Sequence, residues 1–185
     1  MGCNTSSDAK KEQNEIDNYL TNEEVDLVRK SWKAIEHDLD DTGMIMFKRF
    51  FEQQQEMKKL FKRLLSNTES GNFIFDDDRL RGHARIVMNS LGAAVDSLDD
   101  SSSLSSMLVS LGEKHAAYNV KGEMISFLWP AIRDAMKVKL GDQFTQETEL
   151  AWRHVFEYIK SNLSEGIKQG ELELMETGEN NSVVF

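Results

Sequence analysis

The chain has 185 residues and a single proline, Pro130, against a usual share of roughly 5%. That disfavours turn-rich β architectures and points to one domain of long helices, while no apolar run approaches the ~18 residues of a membrane span. Its 22 basic and 32 acidic residues give a net charge of −10, a field that repels a phosphate backbone, so no nucleic-acid partner is expected.

The first residues are Met1-Gly2-Cys3-Asn4-Thr5-Ser6. Removal of Met1 exposes Gly2, with Ser6 where the N-myristoylation pattern asks for a hydroxyl. One myristoyl chain holds a membrane only marginally, with K of about 10⁴ M⁻¹, so stable anchoring needs a second signal. Lys10 and Lys11 sit among acids and form no polybasic patch, whereas Cys3 beside Gly2 offers a palmitoylation site. As the only cysteine, Cys3 also rules out an intrachain disulfide and cysteine-rich metal sites. Residues 1–20 are therefore expected to be a lipidated tail, with Gly2 and Cys3 acylated, holding the protein at the cytoplasmic face of the plasma membrane. A chance match in a polar start is the plain alternative.

From residue 21 the apolar residues recur with helical periodicity. The capping box Thr21-Asn22-Glu23-Glu24 opens a stripe of Val25, Val28, Trp32 and Ile35. Thr42 is the expected start of a second helix carrying Met46, Phe47, Phe50 and Phe51. A short element surrounds Met57, Phe61, Leu64 and Leu65, and residues 66–72 read as a polar loop. Asp76, Asp77 and Asp78 favour a helix N-terminus through the dipole, and Leu80, Ala84, Val87, Leu91, Ala94, Val95 and Leu98 form its long apolar face. After a break at 99–103, a shorter helix carries Leu104, Leu108, Leu111 and, at the next step, His115. The following helix carries Ile125, Leu128, Ile132 and Met136 and ends at Gly141, with Pro130 expected to remove one backbone bond and kink it. Thr145 caps a last helix with Trp152, Val155, Phe156, Ile159 and Leu163. Residues 168–185 read as an acidic tail. Its end, Ser182-Val183-Val184-Phe185, suits strand addition to a partner groove, with a frayed end as the alternative.

Candidate chemistry narrows to histidine. No paired carboxylates, serine elbow or phosphate loop stand out. His37 falls in a polar turn and His154 lies opposite Trp152 on its helix, so both read as surface residues. His83 and His115 continue apolar faces. A single core histidine is usually satisfied by a backbone carbonyl, but two on different helices amid Phe, Val and Leu suit a large apolar cofactor whose iron takes imidazole ligands.

With those positions in place the chain resembles the globins over residues 21–167, most closely the neuroglobin-like and globin X branch. Trp32 matches the tryptophan of the family's first helix, Phe47 the residue over the distal haem face, and Phe61, in Lys59-Leu60-Phe61-Lys62, the haem-stacking phenylalanine. His83, in Leu80-Arg81-Gly82-His83-Ala84-Arg85-Ile86-Val87, matches the distal histidine and Val87 the apolar residue one turn on. His115, in Ser110-Leu111-Gly112-Glu113-Lys114-His115, matches the proximal histidine, and Trp152 an aromatic position of the final helix. The Gly2-Cys3 start and long tails resemble the globin X type. The chain departs from the pattern at Gln53-Gln54-Gln55, where the family often has a proline, and at Pro130 within the sixth helix. It departs again at Ile86, where a basic residue commonly meets a haem propionate; Arg63, Arg85 and Lys114 are the candidates to replace it.

The resemblance implies an all-α globin fold, about eight helices packed around a haem pocket, with flexible N- and C-terminal tails. It implies haem b contacted by Phe47, Phe61 and Val87, with His115 as proximal iron ligand. His83 either binds the iron from the distal side, making the haem six-coordinate, or donates a hydrogen bond to bound dioxygen. O2, CO and NO are the implied ligands and an unidentified reductase the implied electron donor. Redox chemistry, nitrite reduction or protection of membrane lipids is the implied activity, with no catalytic residue assigned. A haem-based sensor signalling to a membrane partner and a cofactor-free, lipid-anchored helical adaptor are the alternatives.

Overall fold

The computed structural model describes residues 20–67, 73–75 and 77–178. Gly2, Cys3 and the C-terminal Ser182-Val183-Val184-Phe185 lie outside the described residues. Helix α1 (Asn22–Ile35) opens on the expected capping box: the Glu24 N–H donates to the Thr21 hydroxyl at 3.2 Å, and the Thr21 N–H donates to the Glu24 carboxylate at 2.8 Å. Helix α2 (Leu39–Gln53) starts before Thr42, which is buried inside it and whose hydroxyl donates back to the Asp38 carbonyl at 2.7 Å. The helix start was expected at Thr42, but an interior threonine bonding to residue i−4 is what the helix contains.

The short element carrying Phe61 is a 3-10 segment, Gln55–Leu64, broken at Phe61 by a non-helical backbone. Part of the expected loop is a small antiparallel hairpin, β1 (Leu65–Asn67) paired with β2 (Phe73–Phe75) in the register Leu65↔Phe75. Helix α3 (Asp77–Asp96) begins among the three aspartates, as the dipole argument predicts. Helix α4 (Ser101–Ala116) is capped by Asp100, whose carboxylate accepts from the Ser103 N–H at 3.0 Å.

The expected kink at Pro130 is absent because the helix is shorter than its apolar stripe suggests. A 3-10 segment, Gly122–Phe127, comes first, and helix α5 (Leu128–Leu140) starts at Leu128. Pro130 therefore falls in the first turn, where a backbone N–H has no intrahelical partner to lose. Helix α6 (Gln146–Glu176), capped by Thr145, runs past the expected boundary at 167; Gly170 is buried and Leu174 packs on the core.

The architecture is all-helical apart from the hairpin. Helix α4 packs along α6, α2 packs on α5 and α3, and α1 packs on α6. Trp32 of α1 and Trp152 of α6 meet with ring centroids 6.0 Å apart, and the Trp152 indole N–H donates to the Ser31 hydroxyl at 2.8 Å. The α4–α6 crossing is made at backbone distance. A Cβ on Gly166 would sit 2.0 Å from the Val109 carbonyl oxygen, and one on Gly112 would sit 2.3 Å from that of Leu163. Side chains at these two positions would push the helices apart.

Candidate functional site

Packing against different partners holds α3 and α4 apart: α3 docks on α2, α4 docks on α6, and the two have no extensive contact with each other. Each presents an apolar strip that ends on a histidine. Val87 and Leu91 follow His83 at four-residue steps on α3, and Met107 and Leu111 precede His115 at the same steps on α4. All four apolar residues touch the core yet stay only partly buried.

The His83 ring rests on aromatic side chains. Its centroid is 5.2 Å from that of Phe47 and 5.6 Å from that of Phe61. Phe61 in turn stands edge-on to Phe51 at 5.0 Å and to Phe50 at 6.2 Å, and Phe47 stacks on Phe51 at 5.8 Å. These contacts reach Phe61 because the backbone kink at that residue interrupts the 3-10 segment. The face formed by Phe47, Phe50 and Phe51 is set by helical spacing, and Phe47 is only 2% exposed. Phe50 and Phe51 were legible only as core; their role in seating His83 depends on where the 3-10 segment folds back.

The imidazoles are prepared differently. His115 Nδ1 lies 2.7 Å from the Leu111 carbonyl oxygen, which can only accept, so Nδ1 carries a proton and Nε2 is the nitrogen left to ligate a metal. A hydrogen bond from the far ring nitrogen to a carbonyl is what orients histidines that ligate metals. His83 makes ring contacts but no hydrogen bond among the described residues. Burial, followed by the charge of His115, pushes its pKa down from the ordinary 6.5, favouring the neutral ligand form. Among the described residues no group of three or more histidine, cysteine or carboxylate side chains could hold a metal ion. An iron between these two imidazoles would therefore draw its remaining ligands from an organic macrocycle, and the apolar strips suit such a flat, apolar group. The residues fit haem.

The other predicted positions fall out as follows. Val87 is half-buried beside His83. Of the propionate candidates, Arg85 is engaged by Asp40, with Nε donating to Oδ1 at 2.8 Å and the second guanidinium nitrogen to Oδ2. Lys114 is exposed, and Ile86 is 64% exposed. His37 is exposed, as expected. His154 is not a plain surface residue: it is half-buried, and its Nδ1 lies 2.6 Å from the Glu24 carboxylate.

Helices spread open on two histidines over an aromatic shelf define a haem-pocket protein of the all-α class. Comparison with known proteins makes the class specific: the Globin family profile matches residues 45–163. The chain is 29% identical over 153 residues to a neuroglobin of Tetraodon nigroviridis and 30% identical over 155 residues to neuroglobin-1 of Oncorhynchus mykiss, covering 82% of this chain and 96% of each relative. The crystal structure of a hexacoordinated haem protein from an anhydrobiotic tardigrade superimposes with a TM-score of 0.72 at 21% identity, over 80% of this chain and 96% of that one. The chain belongs to the globin family, in its neuroglobin-like branch, and haem is its cofactor. The cofactor-free adaptor reading is thereby removed.

Proposed function

We propose that the protein is a membrane-tethered, six-coordinate haem globin of the globin X type, in which His115 and His83 both ligate the iron. The observation that carries this reading is the pair of imidazoles on separated helices, His115 with Nδ1 committed to the Leu111 carbonyl and His83 half-buried on aromatic rings with no hydrogen bond among the described residues. Haem supplies reversible binding of diatomic gases and one-electron redox change. His115 would offer Nε2 to the iron, since its Nδ1 is taken by the Leu111 carbonyl. His83 lies on the Phe47 and Phe61 rings and would compete with O2, CO or NO for the haem, lowering apparent affinity by the competent fraction. Phe47 carries no donor, so His83 is also the polar partner available to an entering ligand. Phe61 and Val87 keep the surroundings apolar.

Internal ligation favours electron transfer over bulk oxygen storage, and we place the activity in redox chemistry, nitrite reduction or protection of membrane lipids, served by a reductase. Acylation of Gly2 and Cys3 would hold the domain at the cytoplasmic face of the plasma membrane; two chains are needed because one alone is reversible. Spectra of the purified protein in ferric, ferrous and CO forms test the coordination. Low-spin six-coordinate spectra in both oxidation states are expected, and a five-coordinate ferrous form overturns the His83 assignment. Membrane fractionation tests the tether: Gly2→Ala should release the protein, and a Gly2→Ala chain that stays with membranes places the anchor elsewhere.

A further inference from the structure

We infer that Phe51 is a positioning residue for the distal imidazole: by bracing Phe47 and Phe61 it holds His83 ready to ligate the iron, and so sets how readily O2, CO or NO displaces it. The inference rests on the six-coordinate reading above. His83 makes no hydrogen bond among the described residues, so ring packing decides where its imidazole lies. Its two supports come from different elements. The Phe47 ring, from α2, is centred 5.2 Å from the imidazole, and the Phe61 ring, from the 3-10 segment, 5.6 Å from it. The two supports are themselves 5.9 Å apart.

The supports are not equally secure. Phe47 is buried within a regular helix. Phe61 is only partly buried and interrupts its segment with a non-helical backbone, so side-chain packing has to fix its ring. Its nearest aromatic ring among the described residues is that of Phe51, met edge-on at 5.0 Å with 81° between the planes. Phe51 also lies one turn after Phe47 on the same face of α2 and stacks on it at 5.8 Å with 28° between the planes. One buried side chain thus ties both supports together. Phe50 meets the same two rings from farther off, at 6.4 and 6.2 Å. A ring pair in a favoured geometry shifts an equilibrium by about two- to tenfold. An imidazole already held in place gives up less freedom on ligation than a loose one, so loosening the brace weakens internal ligation and favours the entering gas.

The test is stopped-flow CO binding to the ferrous, haem-loaded full chain carrying Phe51→Leu, Phe50→Leu or neither, each with and without His83→Leu. Phe51→Leu should speed CO binding about two- to tenfold where His83 is present. Where His83 is replaced it should leave the rate unchanged, because no internal ligand remains to be loosened. Phe50→Leu should change the rate by less. In proton NMR of the ferrous chain, Overhauser contacts from the His83 ring to the Phe47 and Phe61 rings should weaken in the Phe51 variant. If the leucine variant does not fold, Phe51→Met, an unbranched and adaptable replacement, should shift both readouts in the same direction. An unchanged or slower rate, an equal acceleration with His83 replaced, or ring contacts that survive intact overturns the inference while leaving six-coordination in place. A Phe50→Leu effect as large as that of Phe51→Leu assigns the bracing to the shelf as a whole and also overturns it. A parent chain whose CO binding is not accelerated by His83→Leu overturns the six-coordinate reading, and this inference with it.

Discussion

The His115 Nδ1–H donates to the Leu111 carbonyl one turn back on α4, at 2.7 Å. With Nδ1 occupied, Nε2 is the nitrogen that the proposed coordination would use, and the bond fixes the ring plane in advance. His115→Leu should therefore cost haem retention far more than His83→Leu. In the His83 variant the haem should stay bound, turn five-coordinate when ferrous and bind CO faster, because no internal ligand has to leave. Stopped-flow CO binding and haem transfer to an acceptor protein measure the two effects. Equal haem loss from both variants would contradict the division of roles.

Glycine substitutions should have opposite signs at two places. Gly166→Ala drives a methyl group to 2.0 Å from the Val109 carbonyl oxygen, so α4 must move off α6 and carry His115 with it. A loss of about 3 kcal/mol in unfolding free energy is expected, with weakened haem retention. Gly82→Ala meets nothing within 4 Å on the exposed side of α3, and it should stabilise the apoprotein by about 0.5–1 kcal/mol through helix propensity. Denaturant unfolding of the two apoproteins reads both.

Ser31 and Trp152 form a buried polar relay. The indole N–H donates to Ser31, whose hydroxyl lies 2.7 Å from the Leu27 carbonyl and 2.9 Å from that of Val28. Ser31→Ala leaves the indole N–H without an acceptor at a residue only 1% exposed, at a cost of about 1–3 kcal/mol. A double-mutant cycle with Trp152→Phe should show a coupling of about 1 kcal/mol. Simple additivity would mean the bond contributes nothing.

Acid should weaken the junction of α1 and α6. Burial pushes the Glu24 carboxyl up, but the Thr21 backbone N–H, then His154, and the Thr21 hydroxyl outweigh it and hold the pKa below the ordinary 4.5. The folded state thus binds this proton less readily than the unfolded chain. The stabilisation is complete above pH 4.5 and is lost as the pH falls from there through the depressed folded value. Glu24→Gln should remove this share of the acid sensitivity, flattening unfolding free energy against pH between about 5 and 3 relative to the parent chain. Parallel curves for the two proteins would show that Glu24 is not the group responsible. Thr21→Ala should cost about 1 kcal/mol at neutral pH by deleting the cap.

What could be read from residue order alone was whatever local spacing encodes. The Thr21–Glu24 capping box, the helical stripes, and the arrival of His83 and His115 on apolar faces all follow from the 3.6-residue period, which one stretch of chain carries by itself. Contacts between distant stretches were decided only by the tertiary structure. Glu24 and His154 are 130 residues apart, so nothing near either one signals that the histidine leaves the surface to pair. Arg85 looked available to a propionate until Asp40, 45 residues away, claimed it. Nothing in the sequence around Gly112 or Gly166 signals the requirement for glycine, because the need for a missing Cβ exists only where another backbone arrives. Pro130 looked like a kink because an apolar stripe continues through a 3-10 segment as smoothly as through an α-helix, and the backbone bonding pattern that separates them is not written in side-chain polarity.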